Sequence, residues 1–276
     1  MILPILNRFT ITKHQIPSLL SSLSRKNTLA ILDYTNEKKQ NHSKNYQEIM
    51  SLIEKYPKQY ISVKLSSLDV QTTSRVETYL QNIVEYSIQK QCKILVDAEN
   101  HDINHKINTT VDKFVKEYNK NNVNIYKTIQ MYRKDSFPML KEDLQNDRAH
   151  KVGIKLVRGA YYNLDAKHDI LYSAIQDTHN NYNNGIQYFS ENSLKEDVLM
   201  CATHNEKSIS IAKEIVPFHQ LEFAHLLGMS DKMSLQLARE KYTMFKYVPY
   251  GNFQDTIPYL LRRLYENYPM LLNLWK

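Results

Sequence analysis

Glycine is scarce in this chain, with five in 276 residues, at positions 153, 159, 185, 228 and 251. No two of them have the GxGxxG or P-loop spacing, so a bound dinucleotide would have to be held without a Rossmann turn. Cysteine is scarcer still. Cys92 and Cys201 lie far apart, form no CxxC motif and sit in apolar runs, which argues against a disulfide framework or a zinc site and fits a reducing compartment. No apolar run approaches the length of a membrane span. The net charge of +7 is not concentrated in a Lys/Arg block with interleaved aromatics, so nucleic acid is not an expected partner. Acidic residues are missing from the first 28 positions, which carry Arg8, Lys13, Arg25 and Lys26. That faintly resembles an organellar presequence, but the reading preferred here is an N-terminal helical extension over 1–28.

What is present is a regular alternation. Short β-branched or apolar runs fall at 28–34, 60–66, 92–98, 124–130, 152–158, 197–203, 221–226 and 244–250, and each reads as a strand. Segments of helical period follow near 45–55, 72–90, 103–120, 137–149, 165–183, 206–215, 231–242 and 256–267. Eight βα units without a linker or low-complexity stretch predict an α/β protein, a single (β/α)8 TIM-like barrel over 1–276. The longer gap after the fifth strand leaves room for an insertion around 184–196.

In such a barrel the chemistry sits at the C-terminal ends of the strands. Asp33, Glu37, Lys64, Asp97, Glu99, Gln130, Arg133, Lys155, Arg158, Thr203, His204 and Tyr247 all fall there. Each alone has a structural explanation, as a rim ion pair, a helix cap or a barrel-edge aromatic. Their convergence on one mouth favours function. The cations Lys64, Lys155, Arg158, Arg262 and Arg263 outnumber the acids, which predicts an anionic ligand or a phosphate-bearing cofactor.

The stretch "YLLRRLYEN" (259–267) sharpens this. Helical spacing puts Tyr259, Arg262, Arg263 and Glu266 on one stripe. Pro258 suits the first helical turn. The stripe fits a solvated face with an Arg–Glu pair, and it also fits a clamp for a small anion, because two guanidinium forks match a carboxylate.

The segment 247–267, "YVPYGNFQDTIPYLLRRLYEN", resembles the C-terminal signature of FAD-dependent proline dehydrogenases. "SVKLSSL" (62–68), "LVDAE" (95–99), "TIQMYRKD" (128–135), "KLVRGAYY" (155–162), "CATHN" (201–205) and "LLGM" (226–229) look like that family's successive strand-end motifs, in the family's order. The resemblance spans about 30–267. It implies oxidation of L-proline to 1-pyrroline-5-carboxylate, the first step of proline catabolism, with hydride passing from C5 to flavin N5 and electrons going on to a quinone.

By matching position, the resemblance assigns Arg262 and Arg263, helped by Lys64, to the substrate carboxylate, and Glu266 to an arginine or the substrate amine. Tyr259, Tyr247 and Leu226 would line the pocket, and Asp97 would be hydrogen-bonded within it. FAD would lie across the mouth under the RRxxEN helix. Gln130 and Lys155 would be near the ring, Arg158 near the ribityl phosphate, and Thr203, His204 and Asn205 toward the pyrophosphate and adenosine, with Ala160 also among the cofactor-binding residues. A cation near N5, with Lys155 as the candidate, would stabilise negative charge on reduced flavin. No catalytic base is identifiable.

The order Lys155 then Arg158 is the one seen in eukaryotic-type members, and Ala224 stands where the family often has glutamine. Members preferring hydroxyproline have a small residue at the Tyr247 position, so Tyr247 implies proline. No aldehyde dehydrogenase module is expected in this chain, which reads as monofunctional. The resemblance also implies a peripheral membrane contact. It places the protein on the matrix side of the inner mitochondrial membrane if the source is eukaryotic, and in the cytoplasm or at a membrane surface otherwise. Two other readings stay open: a non-catalytic or other-substrate barrel binding a small carboxylic acid, and a phosphate-handling barrel. Gly228 and Gly251 alone do not supply the phosphate loops of the latter.

Overall fold

The computed structural model describes residues 8–35, 41–145 and 147–251. Glu37 and the expected helix at 256–267, with Tyr259, Arg262, Arg263 and Glu266, lie outside these residues. Eight parallel strands close into a barrel in sequence order. They are β1 (Leu29–Tyr34), β2 (Tyr60–Val63), β3 (Lys93–Val96), β4 (Ile125–Gln130), β5 (Gly153–Val157), β6 (Val198–Ala202), β7 (Leu221–Leu226) and β8 (Thr243–Tyr250). Both faces of these strands are covered, which is why they read in sequence as near-continuous apolar runs rather than alternating ones.

The helices α1 (Ile16–Ser24), α2 (His42–Lys55), α3 (Thr73–Gln89), α4 (His101–Tyr118), α5 (Ser136–Asp143), α6 (Ile175–Asn192), α7 (Glu206–Ile215) and α8 (Asp231–Arg239) accompany the strands. Their apolar stripes have helical spacing. On α3, Val76, Leu80, Ile83 and Val84 are buried, each such side chain contributing roughly 1.5–3 kcal/mol relative to exposure. Side-chain caps fix two starts: Asn41 Oδ1 accepts from Lys44 N at 2.9 Å and Asn205 Oδ1 from Ser208 N at 3.0 Å, satisfying amides that have no partner within the helix.

Inside the barrel, alternate residues form layers. Tyr60, Lys93, Tyr126 and Glu222 lie toward the N-terminal ends, Ile31, Leu95, Met200, Ala224 and Phe245 fill the middle, and Asp33, Lys64, Asp97, Gln130, Leu226 and Tyr247 lie toward the mouth. The seam between β8 and β1 is the longest pairing, from Leu29↔Phe245 to Tyr34↔Tyr250. Residues 10–11 strap it from outside: Thr10 Oγ1 and Ile11 N both donate to the Pro249 carbonyl, at 2.9 and 3.2 Å.

The fifth unit differs from the sequence expectation. The insertion precedes the helix rather than following it: residues 158–174 form a loop with a short turn at Tyr162–Asp165, and α6 runs on to Asn192. Gly185 lies within α6 at a point of close packing. A Cβ there would stand 2.9 Å from Met131 Cε and 3.4 Å from Leu140 and Leu156 side-chain carbons. The insertion is pinned from beneath by Asp165, which is wholly buried and accepts from His101 N at 2.8 Å and Tyr132 Oη at 2.7 Å. Gly159 opens it at φ +136°, with the Tyr132 ring where a Cβ would be; only glycine fits that position. The helix expected over 137–149 also ends early, at Asp143, and beyond it Arg148 donates to the Gln145 carbonyl and pairs with Asp197.

Candidate active site

The ends of β1, β2, β3, β5 and β8 bring two aspartates, two lysines and a tyrosine into one buried network. Asp97 is its centre. Lys155 Nζ donates to Asp97 Oδ1 at 2.5 Å, while Tyr247 Oη donates to Asp97 Oδ2 at 2.7 Å and Lys64 Nζ stands 3.3 Å from that same oxygen. Lys64 makes a still closer contact with Asp33 Oδ1. Ser62, two residues before Lys64 and facing the same side of β2, lies 3.0 Å from Tyr247 Oη. The Lys155 ammonium also sits 5.3 Å from the Tyr247 ring centroid, a favourable cation–π placement.

These charges belong together for a physical reason. An isolated ion inside a protein loses its hydration, so buried lysines and aspartates persist only in mutually neutralising sets. Burial pushes the Asp97 carboxyl up, but the charges of Lys155 and Lys64 and the hydrogen bonds from Lys155 and Tyr247 outweigh it and hold the group well below the ordinary carboxylate range. The excess of cations expected at the mouth is therefore reduced among the described residues, since Lys64 and Lys155 are matched by Asp33 and Asp97.

Around this network, Glu99 is fixed by Ser66, whose amide donates at 2.9 Å; burial raises its carboxyl against the pull of those hydrogen bonds. Gln130 donates through Nε2 to the Glu99 carbonyl at 2.9 Å, and its Oε1 is buried with no hydrogen-bond partner among the described residues. Leu226 pairs in register with Tyr247, so the leucine and the tyrosine ring stand side by side on adjoining strands.

The residues expected to meet the far part of a cofactor gather on the β5–β6–β7 side. Arg158 donates to His179 Nδ1 at 2.9 Å, Thr203 Oγ1 at 2.5 Å and Ser208 Oγ at 3.0 Å, and stacks 4.4 Å from the Tyr182 ring centroid. It offers charge rather than a free fork. Thr203 Oγ1 accepts from Asn205 N at 3.1 Å, while Asn205 caps α7. His204 Nδ1 faces Ser230 Oγ at 2.9 Å and Nε2 faces Leu226 N at 3.5 Å. With Nε2 accepting, the proton is on Nδ1; burial and the Lys246 charge lower this ring to about 4, so it is neutral at pH 7. Ala160 stands in the insertion, half-buried, two residues past Arg158.

Ser62 and Ser66 carry no expectation from the sequence. For Ser62 a signal was there: in "ISVKL" it is the one polar residue sharing the inward parity of Lys64.

A family model described as proline dehydrogenase matches residues 13–271. The chain belongs to the proline dehydrogenase family. It is 31% identical over 226 residues to proline dehydrogenase 1, mitochondrial, of Dictyostelium discoideum, covering 74% of this chain and 39% of that protein. It is 32% identical over 212 residues to proline dehydrogenase 1, mitochondrial, of Arabidopsis thaliana (70% and 42%), and 30% identical over 233 residues to hydroxyproline dehydrogenase of Bos taurus (76% and 50%). The chain thus spans half or less of the length of these curated relatives. The fold agrees with that of proline utilization A from Bdellovibrio bacteriovorus, at a TM-score of 0.84 and 20% identity over 94% of this chain and 32% of that one. No helix among the described residues is long and apolar enough to cross a membrane.

Proposed function

We propose that this chain oxidises L-proline at C5 to 1-pyrroline-5-carboxylate, using FAD and delivering the electrons to a quinone at a membrane surface. The observation that carries the reading is the neutral network Asp33–Lys64–Asp97–Lys155–Tyr247 at the strand ends of a proline dehydrogenase family barrel. FAD, when bound, supplies the hydride acceptor. The described residues fit it. Gln130 Oε1 is a buried acceptor without a partner among the described residues and suits an imide N–H. The N-terminus of α7 beside Arg158 presents positive potential suited to a pyrophosphate.

The protein's own part is to bind and orient. Tyr247 and Leu226 place the apolar ring of the substrate. Lys64, with Arg262 and Arg263, holds its carboxylate; Tyr259 and Glu266 complete that end. Lys155, locked on Asp97, keeps a fixed cation beside the reacting region, where it needs no reorganisation as charge develops. Proline is favoured over hydroxyproline because the Tyr247 side chain occupies the space an added hydroxyl would need. Tyr247→Ser should therefore raise the hydroxyproline to proline ratio of kcat/KM.

The experiment is a visible spectrum of the purified protein, taken anaerobically before and after adding L-proline. Flavin bands that bleach support the reading, and loss of bleaching in Arg263→Ala would support the carboxylate clamp. Bands that persist mean another substrate. A colourless protein that takes up no added FAD would leave a barrel that binds a small carboxylic acid without catalysis. The named relatives of Dictyostelium discoideum and Arabidopsis thaliana are mitochondrial, and the same compartment, at the inner membrane, is proposed for this chain if its source is eukaryotic.

A further inference from the structure

The protons at the mouth can be assigned one by one. Tyr247 has a single hydroxyl proton, and it points to Asp97 Oδ2 at 2.7 Å. Ser62, 3.0 Å from the tyrosine oxygen, must then be the donor in that contact. Lys64 Nζ is 3.5 Å from the tyrosine oxygen and 3.3 Å from Asp97 Oδ2. Tyrosine hydroxyl and lysine ammonium therefore converge on one carboxylate oxygen; it can accept from both, but an ammonium drawn in from 3.3 Å would compete with the phenol for it and, being charged, would win that contest. What prevents the contest is Asp33. It is 1% exposed, its Oδ1 makes the closest contact of Lys64 among the described residues, and its place on β1, in register with Ser62, lies on the side of Lys64 away from β3.

We propose that Asp33 is a specificity-setting positioning residue. It draws the Lys64 ammonium off Asp97 Oδ2, so that this oxygen holds the Tyr247 hydroxyl and, through it, the ring that shapes the substrate pocket. The inference rests on the proline-oxidation reading. In Asp33→Asn the side chain keeps its shape and loses its charge, so Lys64 moves onto Asp97 Oδ2 and the Tyr247 ring loses its anchor. Proline and hydroxyproline differ only by a hydroxyl on the ring that Tyr247 is proposed to contact, so the change falls unequally on the two. A merely structural role for Asp33 would lower both alike.

The test uses the flavin-loaded full chain and compares kcat/KM for L-proline and trans-4-hydroxy-L-proline. If the wild type is not reduced by proline, the oxidation reading fails and this inference fails with it. If it is reduced, Asp33→Asn should lower the proline to hydroxyproline ratio about tenfold, the scale of one charge-assisted hydrogen bond. In a Tyr247→Phe background, where the hydroxyl is gone, Asp33→Asn should leave the ratio within about twofold, because coupled residues are not additive. Asp33→Glu, which restores the charge, should recover the ratio. An unchanged ratio in Asp33→Asn, or additive effects in the double variant, overturns the proposal. Should the single variant not fold, Asp33→Asn combined with Lys64→Met removes both charges of the pair; its ratio should equal that of Lys64→Met alone, and a lower one overturns the proposal equally.

Discussion

The two ends of this barrel bury the same chemical group and treat it oppositely. At the mouth, Asp97 meets two ammonium groups and a phenol and is held deprotonated well below the usual range. At the N-terminal end, Glu222 accepts from Tyr60 Oη at 3.0 Å and Tyr126 Oη at 3.1 Å. The cation facing it among the described residues, Lys93, lies over the tyrosine rings, 5.6 and 5.9 Å from their centroids. Burial there outweighs the Lys93 charge and the two hydrogen bonds, and the Glu222 carboxyl rises to about 6. Both carboxylates are out of water, so burial does not separate them. The number and closeness of cations does. One end holds fixed charges at the strand ends, the other plugs the barrel.

The harshest way to break this contrast is to take a cation from the mouth. Lys155→Met leaves Asp97 with Lys64 as its one close ammonium, and breaking a buried ion pair on one side costs about 3–5 kcal/mol. A urea midpoint lowered accordingly, together with loss of proline-driven bleaching, is the expected outcome; a variant as stable as the wild type would mean the mouth is wetter than its burial indicates.

A change at the plug sharpens the contrast through pH. Glu222 titrates near 4.5 unfolded and about 6 folded, so between those values the native state binds more protons than the unfolded state, and stability falls as pH rises. The loss is about 2 kcal/mol once pH passes 6. Glu222→Gln cannot titrate, so the variant should gain on the wild type by about that much between pH 4.5 and 6, read as urea midpoints across the range. Asp97 has the opposite sign: its contribution is present above the ordinary 3.8 and is lost as pH falls below it. An Asp97→Asn variant should therefore lose its disadvantage only in acid.

The smallest effect is expected from Tyr126→Phe. It removes one of the two phenol donors to Glu222, at about 1 kcal/mol, and moves the carboxyl further up. If the pH slope between 4.5 and 6 does not steepen, the phenols are not what restrains Glu222.

Much of this molecule was legible in the sequence, for reasons tied to particular segments. The strands lie within a few residues of their expected bounds, because parallel barrel strands are apolar on both faces and end where Asp33, Asp97 or Gln130 appears. The insertion after β5 was expected at 184–196 from the length of the gap alone, and gap length does not say on which side of the helix the extra residues fall; at Gly185 the missing Cβ allows close packing against Met131 and Leu140. Position along the chain showed which charged residues reach the mouth. It did not show that Lys64 and Lys155 arrive there already paired, since pairing across β1, β2, β3 and β5 depends on register that local patterning does not encode.

The strap at residues 10–11 bears on the order in which this molecule is made. Thr10 and Pro249 are 239 positions apart, and the seam they fasten joins β1 to β8. Contacts of such separation carry the largest closure entropy and form late. On a ribosome they must wait until residue 249 has emerged. Asp33 stands on one side of that seam and Tyr247 on the other, so the network at the mouth cannot exist in any shorter nascent chain. The network at the mouth is complete only once β8 has joined β1.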